Sequence, residues 1–374
     1  MDKKTLKDKA STSTKKKLIR TQREIKRTRF IVAIAIIIII AAVYFIVDSG
    51  SYVATVDGHR ISKSDYQFFL EQQIVSTETN EGLTTEEEKK EFWTTPADGQ
   101  DPYEAAKSKA LDFSKEFTIQ YIKAKEAGFK IDAEIKNEVA SLINSVKSQM
   151  TEKQFQEQYK ISSKDLQSIY EKFSLIGEFK NKYLEDNYTE KSYSEDEIKA
   201  EYDKDIKQYD KVDISYVTLY KFDDSGVALT EEAIATKKKT AEEVLSKIQQ
   251  GENIDQLIAK YTDEKASGED DIIGKAKLAY NEDTIYEYYI EWNLIEWAFE
   301  NNIGDTDIIE TNNFIYIAKI DSRTTFDDVK DTVKKDMDTA DRENFYNNAI
   351  DNWGLEPQYN IIKNDRVYDS ISYK

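Results

Sequence analysis

One uncharged apolar run, FIVAIAIIIIIAAVYFIV from Phe30 to Val47, constrains this chain more than any other feature. A helix of that length spans roughly 27 Å at 1.5 Å per residue, close to the hydrocarbon thickness of a bilayer. The run is apolar on every face and sits beside a dense basic block, which argues against a buried helix of a soluble core. It ends Val43-Tyr44-Phe45-Ile46-Val47-Asp48, with no small-residue cleavage pattern. It therefore reads as an uncleaved signal anchor rather than a signal peptide, whose apolar region is shorter. Residues 1–29 hold 12 Lys/Arg and 3 Asp/Glu, net +9; the chain as a whole carries −19, so residues 48–374 carry −28. Basic flank, apolar span and acidic remainder predict a single pass over residues 30–47, with the N-terminus in the cytoplasm and the rest exported.

Composition narrows the chemistry. With no cysteine, disulfides, thiolate nucleophiles, sulfur-ligated zinc and a lipidated Cys anchor are excluded. The basic N-terminus reads as a flank touching anionic lipid, and an exported part at −28 would repel nucleic acid, so no nucleic-acid partner is expected. Twelve Gly, three Pro and 33% charged residues favour long helices over an all-β fold. No Walker, G-x-S-x-G or HExxH pattern occurs, and the acidic clusters lack the ligand spacing of a calcium loop; no metal or cofactor is expected.

The periodicities predict an α+β chain. Tyr52–Val56 and His59–Ile61, joined by Asp57-Gly58, read as a hairpin. Ser62-Lys63-Ser64-Asp65 opens a helix carrying Phe68, Phe69 and Leu70. Residues 77–102 are polar and read as a loop. A helix follows from about Tyr103 to Ala127, closed by Gly128. The next is capped by Asp132, with Ile135, Val139, Leu142, Ile143 and Val146 on one face. Further helices start at Thr151, at Ser162 or Ser163 and at Ser194, a helical array to about Tyr209. From Val212 the character changes: a strand to Tyr220, a helix Thr230–Gln250, a short helix Ile254–Tyr261, a polar loop containing Gly268 and Gly274, a helix Trp292–Glu300, and strands Asp307–Thr311 and Phe314–Ile320. Phe326 to about Trp353 returns to amphipathic helix.

In this order the segments resemble the bacterial extracytoplasmic foldases of the SurA, PrsA and PpiD type, over nearly all of residues 51–355. VATVDGHRISKSDYQFFL is similar to the family's opening strand, turn and first helix, and IQYIKAKEAGFKID to its Gly-terminated helix. Residues from about Lys211 to Arg323 resemble a parvulin-type prolyl isomerase domain. The carriers are the strand Ile214-Ser215-Tyr216-Val217-Thr218, the turn Gly251-Glu252-Asn253-Ile254, Tyr261-Thr262-Asp263, the stretch Asp271-Ile272-Ile273-Gly274, Ala298-Phe299 with Gly304, and the closing strand Phe314–Ile320. The resemblance implies a helical domain over 51–209, completed by the helix and tail of 324–374, with a parvulin-like domain of helices on a small antiparallel sheet inserted at 210–323. Its nearest branch, PrsA, implies a Gram-positive envelope, although that branch is normally held by a lipid-modified Cys rather than a helix.

The departures bear on function. The two family histidines fall on Tyr216 and Tyr316, and the chain's one histidine, His59, lies outside the block, where a surface role is expected. The acidic or Cys position beside Tyr-Ser-Asp falls on Glu264, and a family glycine on Asp271. By the resemblance, the proline-binding wall would be Ile273, Ile290, Leu294 and Phe299, and the polar centre Tyr216, Asp263, Glu264 and Tyr316. An isomerase must favour a twisted amide over a barrier of about 18–20 kcal/mol, and hydroxyls replace imidazole hydrogen bonds only in part. The plain alternatives are core packing for the apolar residues and the tyrosines, and a turn or cap for Asp263. The expected function is a membrane-anchored chaperone or foldase for unfolded exported polypeptides with a degenerate isomerase block; the alternatives are an active prolyl isomerase and an envelope scaffold for one folded partner.

Overall fold

The structure, a computed structural model, describes residues 50–96, 99, 101–265 and 273–373. The basic segment 1–29, the apolar span 30–47 and Asp271-Ile272 lie outside the described residues. Among the described residues no helix is long and apolar enough to cross a membrane. The chain divides into two compact units. The first comprises the described residues up to Tyr188 together with those from Asn344 onward; the second runs from Thr189 to Glu343.

The first unit opens with the hairpin: β1 (Tyr52–Val56) pairs antiparallel with β2 (His59–Ser62). Its turn has Asp57 and Gly58 both at positive φ (48° and 71°), the conformation that twists a two-residue loop with its strands. Ser62 then caps α1 (Lys63–Asn80): its hydroxyl accepts from the Asp65 amide and donates to the Asp65 carboxylate. The region read as loop holds a second helix, α2 (Glu86–Thr94). A reciprocal capping box between Thr85 and Glu88 starts it, and Trp93 anchors it, 2% exposed with its indole N–H on Glu78. α3 (Pro102–Glu126) and α4 (Ala133–Lys147) follow as expected, with Asp101 and Asp132 as N-caps. Leu142 does not join the buried face of α4; it is half exposed, while Ile135, Val139 and Ile143, with Val146 partly buried, meet α6 (Ser163–Asn187) and its neighbours.

Between them α5 (Glu152–Tyr159) starts at Thr151. The Glu152 carboxylate accepts from Lys147 Nζ (2.7 Å) and from the Ser163 hydroxyl and amide (2.6 and 2.9 Å), tying α4, α5 and α6 together. These hydrogen bonds, Lys147 first, pull the carboxyl down to about 2. The folded value lies below the unfolded one of about 4.3, so this group stabilises above about pH 4 and the contribution fades as pH falls toward 2. Glu152→Gln is expected to flatten the dependence of unfolding midpoint on pH between 5 and 2; an unchanged slope would remove Glu152 from the account.

The second unit begins with α7 (Glu195–Tyr202) and α8 (Ile206–Tyr209). Ile198 and Tyr202 pack with Val333, which groups these helices with the second unit although the change in sequence character comes later, at Val212. Its sheet is antiparallel in the order β4-β3-β6-β5: β3 (Lys211–Tyr220), β4 (Lys275–Ala279), β5 (Thr306–Glu310) and β6 (Phe314–Arg323). One face carries α9 (Glu231–Gln249) and α10 (Ile254–Tyr261), the other α11 (Asp283–Tyr288) and α12 (Trp292–Glu300). Two of these elements escaped the sequence reading. β4 has the Lys-Ala-Lys-Leu-Ala alternation of an edge strand with outward lysines, and α11 is only six residues long.

α13 (Phe326–Gly354) leaves the second unit, and its last residues, with Tyr346 and Trp353, pack in the first unit against Phe179 and Tyr183. The tail then forms β7 (Ile361–Lys363), antiparallel to β1, and α14 (Asp365–Tyr368).

Candidate functional site

Over Val212–Tyr220 of β3 and Phe314–Ile320 of β6, before the bulge that follows Ile320, even-numbered residues share one sheet face. The register Tyr216↔Ala318 and Thr218↔Tyr316 puts the two tyrosines diagonally across neighbouring strands. Their rings meet edge-on, centroids 6.0 Å apart at 75°. Both are buried (2% and 1% exposed) in one cluster with Ile290, Leu294 and Phe299. Tyr316 is fixed, since its hydroxyl accepts the Glu291 amide at 3.3 Å. No described group hydrogen-bonds the Tyr216 hydroxyl, and Tyr216 lines an open cavity of about 750 Å³.

The sequence-predicted residues are only partly brought together. Tyr216, Glu264 and Ile273 line the cavity. Ile290, Leu294 and Phe299 are core beside the tyrosine pair, at 3%, 0% and 7% exposure, while Ile273 packs with the cluster on the opposite sheet face. The four apolar residues thus form no common wall. Asp263 is a strut: its amide donates to the Thr218 carbonyl (2.8 Å), and its carboxylate accepts from the Tyr220 amide (2.9 Å) and from Lys237. It staples the segment after α10 to β3. Glu264 accepts from the Thr218 hydroxyl at 3.3 Å. His59 is exposed in the hairpin, with Nδ1 3.0 Å from the Asp57 carbonyl. Among the described residues no cluster of His, Cys, Asp or Glu could hold a metal.

Tyr220, Tyr288 and Tyr289 complete the aromatic lining of the cavity and were not singled out in the sequence. Tyr220 was legible from the period of two, being on the face of Tyr216. Tyr289 was not: it ends α11 in the left-handed region (φ 52°), its amide closing the helix on the Ile285 carbonyl, and is 87% exposed.

Burial, then the Glu264 carboxylate, pushes the Tyr216 hydroxyl well above its ordinary value; burial does the same to Tyr316. Both stay neutral phenols at physiological pH, able to hydrogen-bond but not to serve as bases there. Their substitutions should differ. Tyr316→Phe leaves the Glu291 amide without this acceptor and is expected to cost about 1 kcal/mol, whereas Tyr216→Phe should be nearly neutral in the unliganded protein. Equal losses in urea unfolding would contradict these assignments.

The first unit carries a second exposed feature. Phe68 on α1 meets Tyr170 and Phe173 on α6 (centroids 6.4 and 5.9 Å apart), and the latter two are more than a third exposed.

No protein-family model and no curated protein matches the chain. Among solved structures it is similar to PrsA proteins. The foldase PrsA of Lactococcus lactis is 13% identical, with 85% of this chain and 97% of that one covered and a TM-score of 0.34. PrsA of Bacillus subtilis is 18% identical, covering 74% and 89%, with a TM-score of 0.26. The peptidylprolyl isomerase PrsA of Bacillus anthracis is 13% identical, covering 68% and 93%, with a TM-score of 0.25.

Proposed function

We propose that this protein is a membrane-anchored extracytoplasmic chaperone that binds unfolded exported polypeptides, its isomerase-like block inactive or weakly active. The observation that carries the reading is the aromatic surface of Phe68, Tyr170 and Phe173: contiguous rings partly open to solvent suit the apolar segments of an unfolded client. The strong negative charge of the exported part keeps a loaded complex soluble and favours basic clients. The replacement of both family histidines by buried, neutral tyrosines supports weak or absent isomerisation. Anchoring is assigned to residues 30–47, with the N-terminus in the cytoplasm and the remainder outside, in a Gram-positive envelope.

Two assays on the same preparation test this. Full-length protein in detergent should suppress aggregation of a denatured client, and Phe68→Ser/Phe173→Ser should weaken that suppression. Proline-peptide isomerisation should run at or near the uncatalysed rate. Absence of suppression, or isomerase turnover that falls when the Tyr216 region is altered, overturns the proposal. Protease added to intact spheroplasts should digest the large acidic part; protection until lysis would reverse the orientation.

A further inference from the structure

The tyrosine-lined cavity of the second unit holds an unspent hydrogen-bonding group, the hydroxyl of a side chain 98% buried. No described group hydrogen-bonds it, and it reaches the open cavity, where a ligand atom can meet it. Charge decides which. Glu264 and Glu287 stand among the lining residues; Asp213 and Asp321, at the strands, are held on the other sheet face by the Ser322 and Ser215 hydroxyls, with Lys319 3.6 Å from Asp321. Lysines also line the cavity, yet each faces a carboxylate elsewhere. Lys275 bonds Asp255 at 2.8 Å, Lys265 pairs with Asp224 at 3.3 Å, and Lys277 lies close enough to Asp328 to lower its carboxyl. The hydroxyls feel the balance: after burial, it is carboxylates that raise them, Glu264 for Tyr216 and Tyr220, and Glu287 and Asp213 for Tyr288. Phenol rings with a negative surround suit a cation, which gains from the ring faces, the carboxylates and a phenolic oxygen that accepts N–H.

We propose that the cavity beside Tyr216 receives a lysine or arginine side chain of an extended client segment, where the resemblance alone would put a proline ring. The ammonium or guanidinium lies toward Glu264 and donates to the Tyr216 hydroxyl oxygen, and its aliphatic stem lies along Tyr220 and Tyr288. This rests on the client-binding reading above and assigns the isomerase-like block a selective part in it.

The test uses full-length protein in detergent and blocked pentapeptides, acetyl-Ala-Ala-Xaa-Ala-Ala-amide, with Xaa lysine, norleucine or proline, titrated by calorimetry. The lysine peptide is expected to bind about ten-fold tighter than the norleucine peptide, and the preference should shrink in 0.5 M salt. Glu264→Gln and Tyr216→Phe should each reduce the preference at least about three-fold. Norleucine or proline binding as tightly as lysine overturns the inference, as does a preference that survives in both variants; the peptide series reads the outcome even where a variant fails to fold. Aggregation suppression by the same preparation is scored separately. Suppression without lysine preference sinks this inference alone, and lysine preference without suppression sinks the chaperone reading alone.

Discussion

Deleting residues 355–374 is expected to abolish cooperative unfolding of the first unit. The tail is the closing piece of that unit's core. Tyr359, Val367, Tyr368 and Ile371 are each at most 7% exposed, packed in one cluster with Val53, Tyr66 and Leu70. At about 1.5–3 kcal/mol for each large side chain withdrawn from water, their loss reaches about 6–12 kcal/mol, as much as a typical domain's whole stability of about 5–15 kcal/mol. Polar losses add to this. β7 pairs with β1 through Ala54↔Lys363, Thr55↔Ile362 and Val56↔Ile361, so the hairpin would gain an open edge. Lys107, 2% exposed, holds its ammonium over the Tyr368 ring at 4.4 Å and on Glu104 at 2.8 Å; without the ring the charge loses one side of its shelter. Tyr368→Ala alone should cost about 3 kcal/mol. Urea unfolding of residues 50–374 with and without the tail, followed by near-ultraviolet circular dichroism, measures both. A truncated protein with an unshifted midpoint would show that the tail is dispensable.

The tail was invisible in the sequence for a physical reason. Its strand is three residues long and its helix four, too short for either periodicity to declare itself, and its partners lie about 300 residues earlier. Local signals fared better. Thr151, Ser162, Ser194 and Thr230 each cap a helix where a hydroxyl residue precedes an apolar-periodic run. The same signal at Thr85-Glu88 was overlooked because charged residues around it masked the short apolar pair Phe92-Trp93 that anchors the helix. At the candidate site, the resemblance grouped Tyr216 with Tyr316, and the register of β3 and β6 puts them on one face. Pocket membership could not be read that way. Ile273, Ile290, Leu294 and Phe299 are all apolar and near in sequence to the expected positions, but the sheet separates Ile273 from the other three. Which face of a sheet a loop residue reaches depends on how the chain rejoins it, and no periodicity encodes that.

That rejoining point gives the second large effect. Gly274→Ala is expected to destabilise the second unit by about 3 kcal/mol or more. Gly274 has φ +70°, which costs an L-residue about 1–2 kcal/mol. A Cβ there would also lie 2.5 Å from the Tyr216 carbonyl oxygen and 2.7 Å from Ile258 Cγ2. The backbone oxygen cannot rotate away, because β3 is paired on both sides, with β4 and β6. The strain must therefore appear as a shift of β4 away from β3, against the 2.7 Å hydrogen bond from the Tyr216 amide to the Gly274 carbonyl. Gly251→Ala separates the two contributions: it shares the positive φ (+86°) but meets nothing within 4 Å, so it should cost about 1 kcal/mol. If Gly274→Ala costs no more than Gly251→Ala in thermal unfolding, the close approach of the two strands is not as described. If it costs more, the residue with the unpartnered hydroxyl, Tyr216, is held to the start of β4 by a backbone contact that tolerates only glycine. Displacing that contact should then blunt the lysine preference at temperatures where the variant is still folded, because Tyr216, which lines the cavity, is one partner of the joint.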